Sequence, residues 1–121
     1  MSTFSIEEYH IVYYVDDKGR ESVKDYIHKT SQKEQTKIYY FLEFLRENKG
    51  NLDEPYTRHV TGKIRELRVD FAHNRHRIFY CAVIGRRIVL LHAFLKKTPK
   101  TPQKEKERAI YCHHDFLRKI T

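Results

Sequence analysis

The chain reads as an α+β fold. The expected arrangement is an antiparallel β-sheet in the order β-α-α-β-β-β-α, with a helical hairpin packed on one face and a C-terminal helix. Three observations predict it. Between Lys63 and Lys96, three strand-like runs are separated by short turns. Between Ser22 and Gly50, apolar residues recur with helical spacing instead. After Leu95, Pro99 and Pro102 break the strand pattern before a long amphipathic stretch. A length of 121 residues suits one compact domain spanning 1–121.

The elements follow in order. His10 to Val15 is β-branched and aromatic and is expected to be a first strand. Asp16-Asp17-Lys18-Gly19 forms a turn, and a short helix starts near Ser22 with Val23, Tyr26 and Ile27 on one face. Ser31 and Glu34 have the spacing of a capping box and open a second helix. Its apolar positions Ile38, Phe41, Leu42 and Leu45 fall at i, i+3, i+4 and i+7, and Gly50 is placed as its C-cap. Asn51 to Gly62 is expected to be a loop containing Pro55.

Lys63 to Phe71 alternates. Leu67, Val69 and Phe71 point one way, and Glu66, Arg68 and Asp70 the other. Ala72-His73-Asn74 turns into Arg75–Ile84. There Ile78, Tyr80, Ala82 and Ile84 share one face, and Arg77, Phe79, Cys81 and Val83 the other. Gly85-Arg86 turns into Ile88–Lys96, whose apolar residues on both faces mark the central strand of the sheet. Thr101 and Pro102 read as an N-cap and first helical residue. The helix they open carries a stripe of Ala109, Ile110, His113, Phe116, Leu117 and Ile120, and is placed at the rim of a partly open basic face.

Charge is uneven along the chain. Net charge is +8, but residues 1–57 carry 8 Lys/Arg against 11 Asp/Glu, whereas residues 58–108 carry 14 against 4. A basic half on an ordered domain points to a polyanionic partner. Cys81 and Cys112 are too far apart for a C-x-x-C pair and match no disulfide framework. No apolar run reaches the ~18 residues of a membrane span and no signal-peptide pattern opens the chain, so a cytoplasmic location without membrane contact is expected. Cys112-His113-His114-Asp115 looks like a metal cluster, but its side chains spread around a helical turn and no second ligand pair exists. Neither a metal nor another cofactor is expected.

The chemistry-bearing residues are the polar ones of the last three strands: Glu66, Arg68, Arg77, Lys96 and Lys97. Opposite residues on antiparallel strands lie ~5 Å apart, so four cations on three strands can converge on one phosphate. The alternative is a charged exposed strand face in which Glu66 only pairs with an arginine.

The strings K-I-R-E-L-R (63–68), R-I-F-Y (77–80) and L-L-H-A-F-L-K-K-T-P-K-T-P (90–102) resemble, in this order, the RelE/ParE toxin superfamily. They are most similar to its HigB-like, phage-derived Gp49-like branch, over about residues 9–112. The resemblance implies a RelE-like microbial RNase fold and the toxin of a type II toxin–antitoxin system. Its activity would be metal-independent, ribosome-dependent cleavage of mRNA. Its partners would be the ribosome, mRNA and a helix-turn-helix, HigA-like antitoxin, in a heterotetramer or larger complex. Carried onto this chain, it makes Arg68 and Arg77 stabilisers of transition-state charge. Lys96 and Lys97 become phosphate ligands, one of them an acid, and Glu66 either a base or an ion-pair partner. Lys63, Arg65, Arg75, His76, His92 and Lys100 are then candidates for binding the RNA strand, with His92 either a core histidine or an acid. Two other readings remain at this level: a non-enzymatic growth inhibitor of the gyrase-poison type, and a degenerate RNA-binding module.

Overall fold

The structure is a computed structural model that describes residues 8–120, the side chain of Val83 excepted. The assignment of Val83 to a face, and both ends of the 1–121 domain, lie outside the described residues. The elements are β1 (His10–Tyr13), α1 (Ser22–His28), α2 (Gln32–Glu47), β2 (Thr57–Thr61), β3 (Ile64–Phe71), β4 (Asn74–Ile84), β5 (Arg87–Leu95) and α3 (Gln103–Ile120). They form one five-stranded sheet in the order β1-β5-β4-β3-β2. The expected α+β fold is present, with three changes. The segment expected to be a loop, 51–62, contains an edge strand, β2, antiparallel to β3. The first strand, β1, joins the other edge parallel to β5, so the sheet is mixed. The central strand is β4, with β5 next to it.

Local chemistry accounts for the helices. Ser31 caps α2 as a full capping box: its hydroxyl accepts from the Glu34 N–H, and the Glu34 carboxylate accepts from the Ser31 N–H. At the other end Asn48 is the cap residue, and Lys49 and Gly50 both take positive φ, at 59° and 80°. Gly50 therefore lies beyond the C-cap. Its requirement is steric, because an added Cβ would sit 2.7 Å from Ala82 Cβ. Its carbonyl also accepts from the Tyr80 hydroxyl at 3.2 Å. Gly85 and Arg86, with φ of 59° and 62°, make the two-residue hairpin turn between β4 and β5.

The sheet separates two cores. On one face, α1 and α2 bury Val23, Ile27, Ile38, Leu42 and Leu45 against Leu67, Val69, Ile78, Tyr80, Ile88 and Leu90. On the other, α3 lays Ala109 and Cys112 on Phe79, Cys81, Val89, Leu91 and Phe94. The C-terminal helix is thus a covering layer and not a rim. Its buried face includes Cys112 and Asp115, while Ile120 is exposed. Asp115 is held by the Tyr14 hydroxyl at 2.6 Å and by Lys119 at 2.7 Å. Those contacts, and burial of Cys112, spread the Cys112–Asp115 run over different environments. Among the described residues no three His, Cys, Asp or Glu side chains converge as a metal site, and no helix is long and apolar enough to cross a membrane.

One irregularity governs what faces α3. Phe79 pairs with His92, yet Tyr80 pairs with Leu90, so Leu91 is an extra residue in β5. Before it, Val89 and Leu91 belong to the α3 face; after it, His92 stacks on Phe94 on that same face, and Ala93 packs on the other. A second break, between Cys81 and Ile84, moves Ile84 into the α3-side core, away from the face expected from alternation.

The helical hairpin is tied to β4 by polar groups as well. His76 Nε2 lies 2.5 Å from Glu34 Oε2, and Asn74 donates to the same oxygen at 2.9 Å. With Nε2–H donating, His76 Nδ1 accepts from the Tyr26 hydroxyl at 2.7 Å. The hydrogen bond from His76, then those from Asn74 and Ser31, hold the Glu34 carboxyl down at about 2. Burial, then the Glu34 charge, push the Tyr26 hydroxyl up to about 12.

A depressed carboxyl contributes stability above its unfolded value, near 4.5, and loses it as pH falls through its folded value, about 2. Glu34→Gln is therefore expected to lose about 1–2 kcal/mol in urea unfolding at pH 7, with the gap to the parent protein closing between pH 4.5 and pH 2. Gly50→Ala is expected to cost about 2–4 kcal/mol, because positive φ and the contact with Ala82 add. Chemical denaturation at fixed pH measures it.

Candidate anion site on the α3 face

Glu66, Arg68 and Arg77 reach the α3 face by the alternation expected from sequence. Lys96 reaches it because of the extra residue in β5. Arg68 and Arg77 are direct partners across β3 and β4. Like charges so placed are destabilising. Among the described residues the Nε of each is buried without a hydrogen-bond partner. Arg77, only 1% exposed, donates to Asp70 Oδ1 at 2.7 Å and to the His76 carbonyl at 3.0 Å. Arg68 Nε lies 3.8 Å from Glu66 Oε1. Glu66 is 3% exposed, yet its carboxylate borders an open cleft.

That cleft, about 460 Å³, runs between the β2 edge and the first turn of α3. Its polar walls are Arg58, Glu66, Lys96, Lys100, Gln103 and Lys106. The Lys96 ammonium is held below the usual lysine range, first by burial and then by Arg77, Arg68 and Arg58; Glu66 opposes the shift. Those perturbers place the same four groups around Lys96. Arg58 lies across β2–β3 from Glu66 and also bonds Glu54 at 2.9 Å. That pair is exposed and contributes little to stability.

The remaining sequence candidates are scattered. Lys100 lines the cleft. His92 does not line it; its Nε2 lies 2.9 Å from Glu105 Oε1 on α3. Lys97 is exposed past the end of β5 and does not line the cleft; it lies in an adjoining groove with His73 and Arg75 that has Lys96 in common with the cleft. Lys63 is five residues along the strand from Arg68, roughly 16 Å away, beside an apolar cavity that includes His113. Two candidates are on the other side of the sheet. Arg65 donates to Thr57 Oγ1 at 3.0 Å, and the Arg65–Tyr80 pair belongs to the hairpin side. His76 is buried against Glu34 and Tyr26. Neither is brought to the cleft, because alternation sends both side chains away from Arg68 and Arg77.

Sequence reasoning missed Arg58 and Lys106. Arg58 was hidden by reading β2 as a loop. Lys106 had a usable signal: it stands one turn into the helix that follows the lysine pair, on the side of Pro102.

The family model described as phage derived protein Gp49-like matches residues 25–111. The chain belongs to this family. It is a toxin-like family of the RelE/HigB type, associated with toxin–antitoxin pairs, and an antitoxin partner follows from it. No curated protein matches the chain. The match begins inside α1 and ends inside α3, so it includes every residue of the cleft.

If the cleft binds a polyanion, its α3 wall contributes. Lys106→Ala is expected to weaken binding of single-stranded RNA and to lower the slope of log Kd against log salt by about 0.7, the share of one phosphate contact. Fluorescence anisotropy across a salt series reads this.

Proposed function

We propose that this Gp49-like protein is a toxin that cleaves mRNA on the translating ribosome without a metal. The observation that carries the reading is the opposed pair Arg68 and Arg77, each with a buried Nε that lacks a partner among the described residues, set beside Lys96 and a solvent-facing buried carboxylate. Such an arrangement costs stability and suits a dianionic transition state.

Cleavage without a metal uses the 2′-hydroxyl as nucleophile. The Glu66 carboxylate takes its proton, the 2′-oxygen attacks phosphorus, and the 5′-oxygen leaves with a proton from an acid. Arg68, with its Nε 3.8 Å from Glu66, meets the charge growing on the phosphate. Arg77 lies beneath it, too buried for contact, adding positive potential from behind and orienting Asp70. Lys96 is the acid: it lines the cleft with Glu66, and burial, then Arg77, Arg68 and Arg58, lower its pKa. Lys100 and Lys106 bind flanking phosphates. A helix-turn-helix antitoxin of the HigA type and the ribosome are the partners this reading requires.

Lys96→Ala and Glu66→Gln are each expected to reduce cleavage about 10²–10³-fold. Lys97→Ala, outside the cleft, is expected to change it only a few-fold. Primer extension on messages in a translation extract, alongside growth on induction, measures both. Intact transcripts in arrested cells would refute the nuclease reading in favour of a non-enzymatic inhibitor.

A further inference from the structure

β2 pairs with β3 only as far as Thr57 and Leu67, so among the described residues no strand lies beside the edge of β3 from Arg68 to Phe71. A second cleft of about 230 Å³ opens there, lined by Lys37, Phe41, Pro55, Tyr56, Arg68 and Asp70. Its walls are aromatic and its ends are charged. Phe41 and Phe44 meet the Tyr56 ring in edge contacts at centroid distances of 6.0 and 5.4 Å, with interplanar angles of 65° and 89°. These contacts set the plane of the ring, and Tyr56 is still 39% exposed. The Tyr56 carbonyl accepts from the Arg68 N–H at 2.9 Å, so the platform is anchored to the strand that carries the anion site.

The two clefts have no lining residue in common, but Arg68 of the second lies with its Nε 3.8 Å from the carboxylate of Glu66, which lines the first. Arg68 belongs to the anion cluster and also lines this second cleft. Asp70 accepts from Arg77 through Oδ1, and its side chain is 60% exposed, which leaves the carboxylate open to solvent. Lys37 donates to the Asp70 carbonyl and stands over the Phe41 ring at 5.7 Å. A rigid aromatic wall, an exposed carboxylate and cations at the ends are what an unstacked nucleobase needs. The ring supplies a stacking surface, the carboxylate accepts a base N–H, and the cations take carbonyl or phosphate oxygens.

We propose that this cleft binds the nucleobase flanking the phosphate held at Arg68, with Tyr56 as the stacking platform and Asp70 as acceptor of a base N–H. The inference rests on the anion-site reading above and adds base recognition to it. A docking surface for a protein partner is the other use for exposed aromatic side chains. Arg68, which joins the second cleft to Glu66 of the first, and the exposed Asp70 carboxylate favour RNA, since a nucleotide offers phosphate and base to the two clefts together.

The test uses the full chain and an uncleavable RNA trinucleotide, 2′-deoxy at its central sugar. One version carries a 5′ fluorophore for anisotropy and the other 2-aminopurine, whose fluorescence is quenched on stacking. The parent protein is expected to raise anisotropy and quench 2-aminopurine. Tyr56→Phe is expected to do the same. Tyr56→Ala and Tyr56→Leu, checked for folding by circular dichroism, are expected to lose the quench and bind about 5- to 150-fold more weakly, the value of one stacked base. Tyr56→Leu serves if the alanine variant does not fold. Anisotropy without quenching by the parent, or unchanged binding by Tyr56→Leu, would overturn the base site and leave the anion site standing. Unchanged RNA binding with lost antitoxin binding would overturn it in favour of protein docking. No anisotropy change with the parent protein would remove the anion site and this subsite together.

Discussion

The pairing of β4 with β5 is the contact on which the rest of the molecule depends, and it is irregular. One additional residue, Leu91, is accommodated between the Tyr80–Leu90 and Phe79–His92 pairs. Were Leu91 paired in regular register instead, strict alternation would send His92, Phe94 and Lys96 toward the helical hairpin and Ala93 and Leu95 toward α3. With it, Phe94 closes the second core, His92 meets Glu105 on α3, and Lys96 stands beside Glu66 and Arg68. A bulge next to a candidate site, re-aiming one side chain, is a recurrent use of this device.

The two sides of the sheet divide the labour. The hairpin side carries the larger core and a closed polar network, in which Glu34, His76, Asn74 and Tyr26 all have partners. The α3 side carries an apolar core at one end and, at the other, two opposed arginines whose buried Nε atoms lack a hydrogen-bond partner among the described residues. Such a pair opposes folding. The paired network on the reverse of β4 offsets part of that cost and holds His76, whose carbonyl fixes the Arg77 guanidinium. Asp70 then joins the anion cluster to the aromatic cleft on the open edge of β3.

Much of this was legible before any coordinates. The capping box at Ser31 and Glu34, the alternation of Ile64–Phe71, the Gly85-Arg86 turn and the helix after Pro102 are local patterns with local causes, and each element stands where those patterns put it. The candidate site was legible in part: Glu66, Arg68, Arg77, Lys96 and Lys100 come together. Lys97, Lys63, Arg65 and His76 do not. β2 was invisible because Thr-Arg-His-Val-Thr has no apolar alternation and, as an edge strand, needs none; it is specified by its neighbour. With β2 went Arg58.

The amino-acid sequence alone determined the element types other than β2, the two-sided patterning of β3 and most of β4, and the basic half of the chain. Those follow from period and composition, which act over a few residues. Only the tertiary structure decided which face Lys96 occupies, that α3 covers the sheet, and that Arg77 is sealed beneath the cleft. The physical reason is one of range. A period of two predicts a face only while pairing stays in register, and the residue that breaks the register, Leu91, is as apolar as its neighbours. Its effect exists only in the pairing with β4.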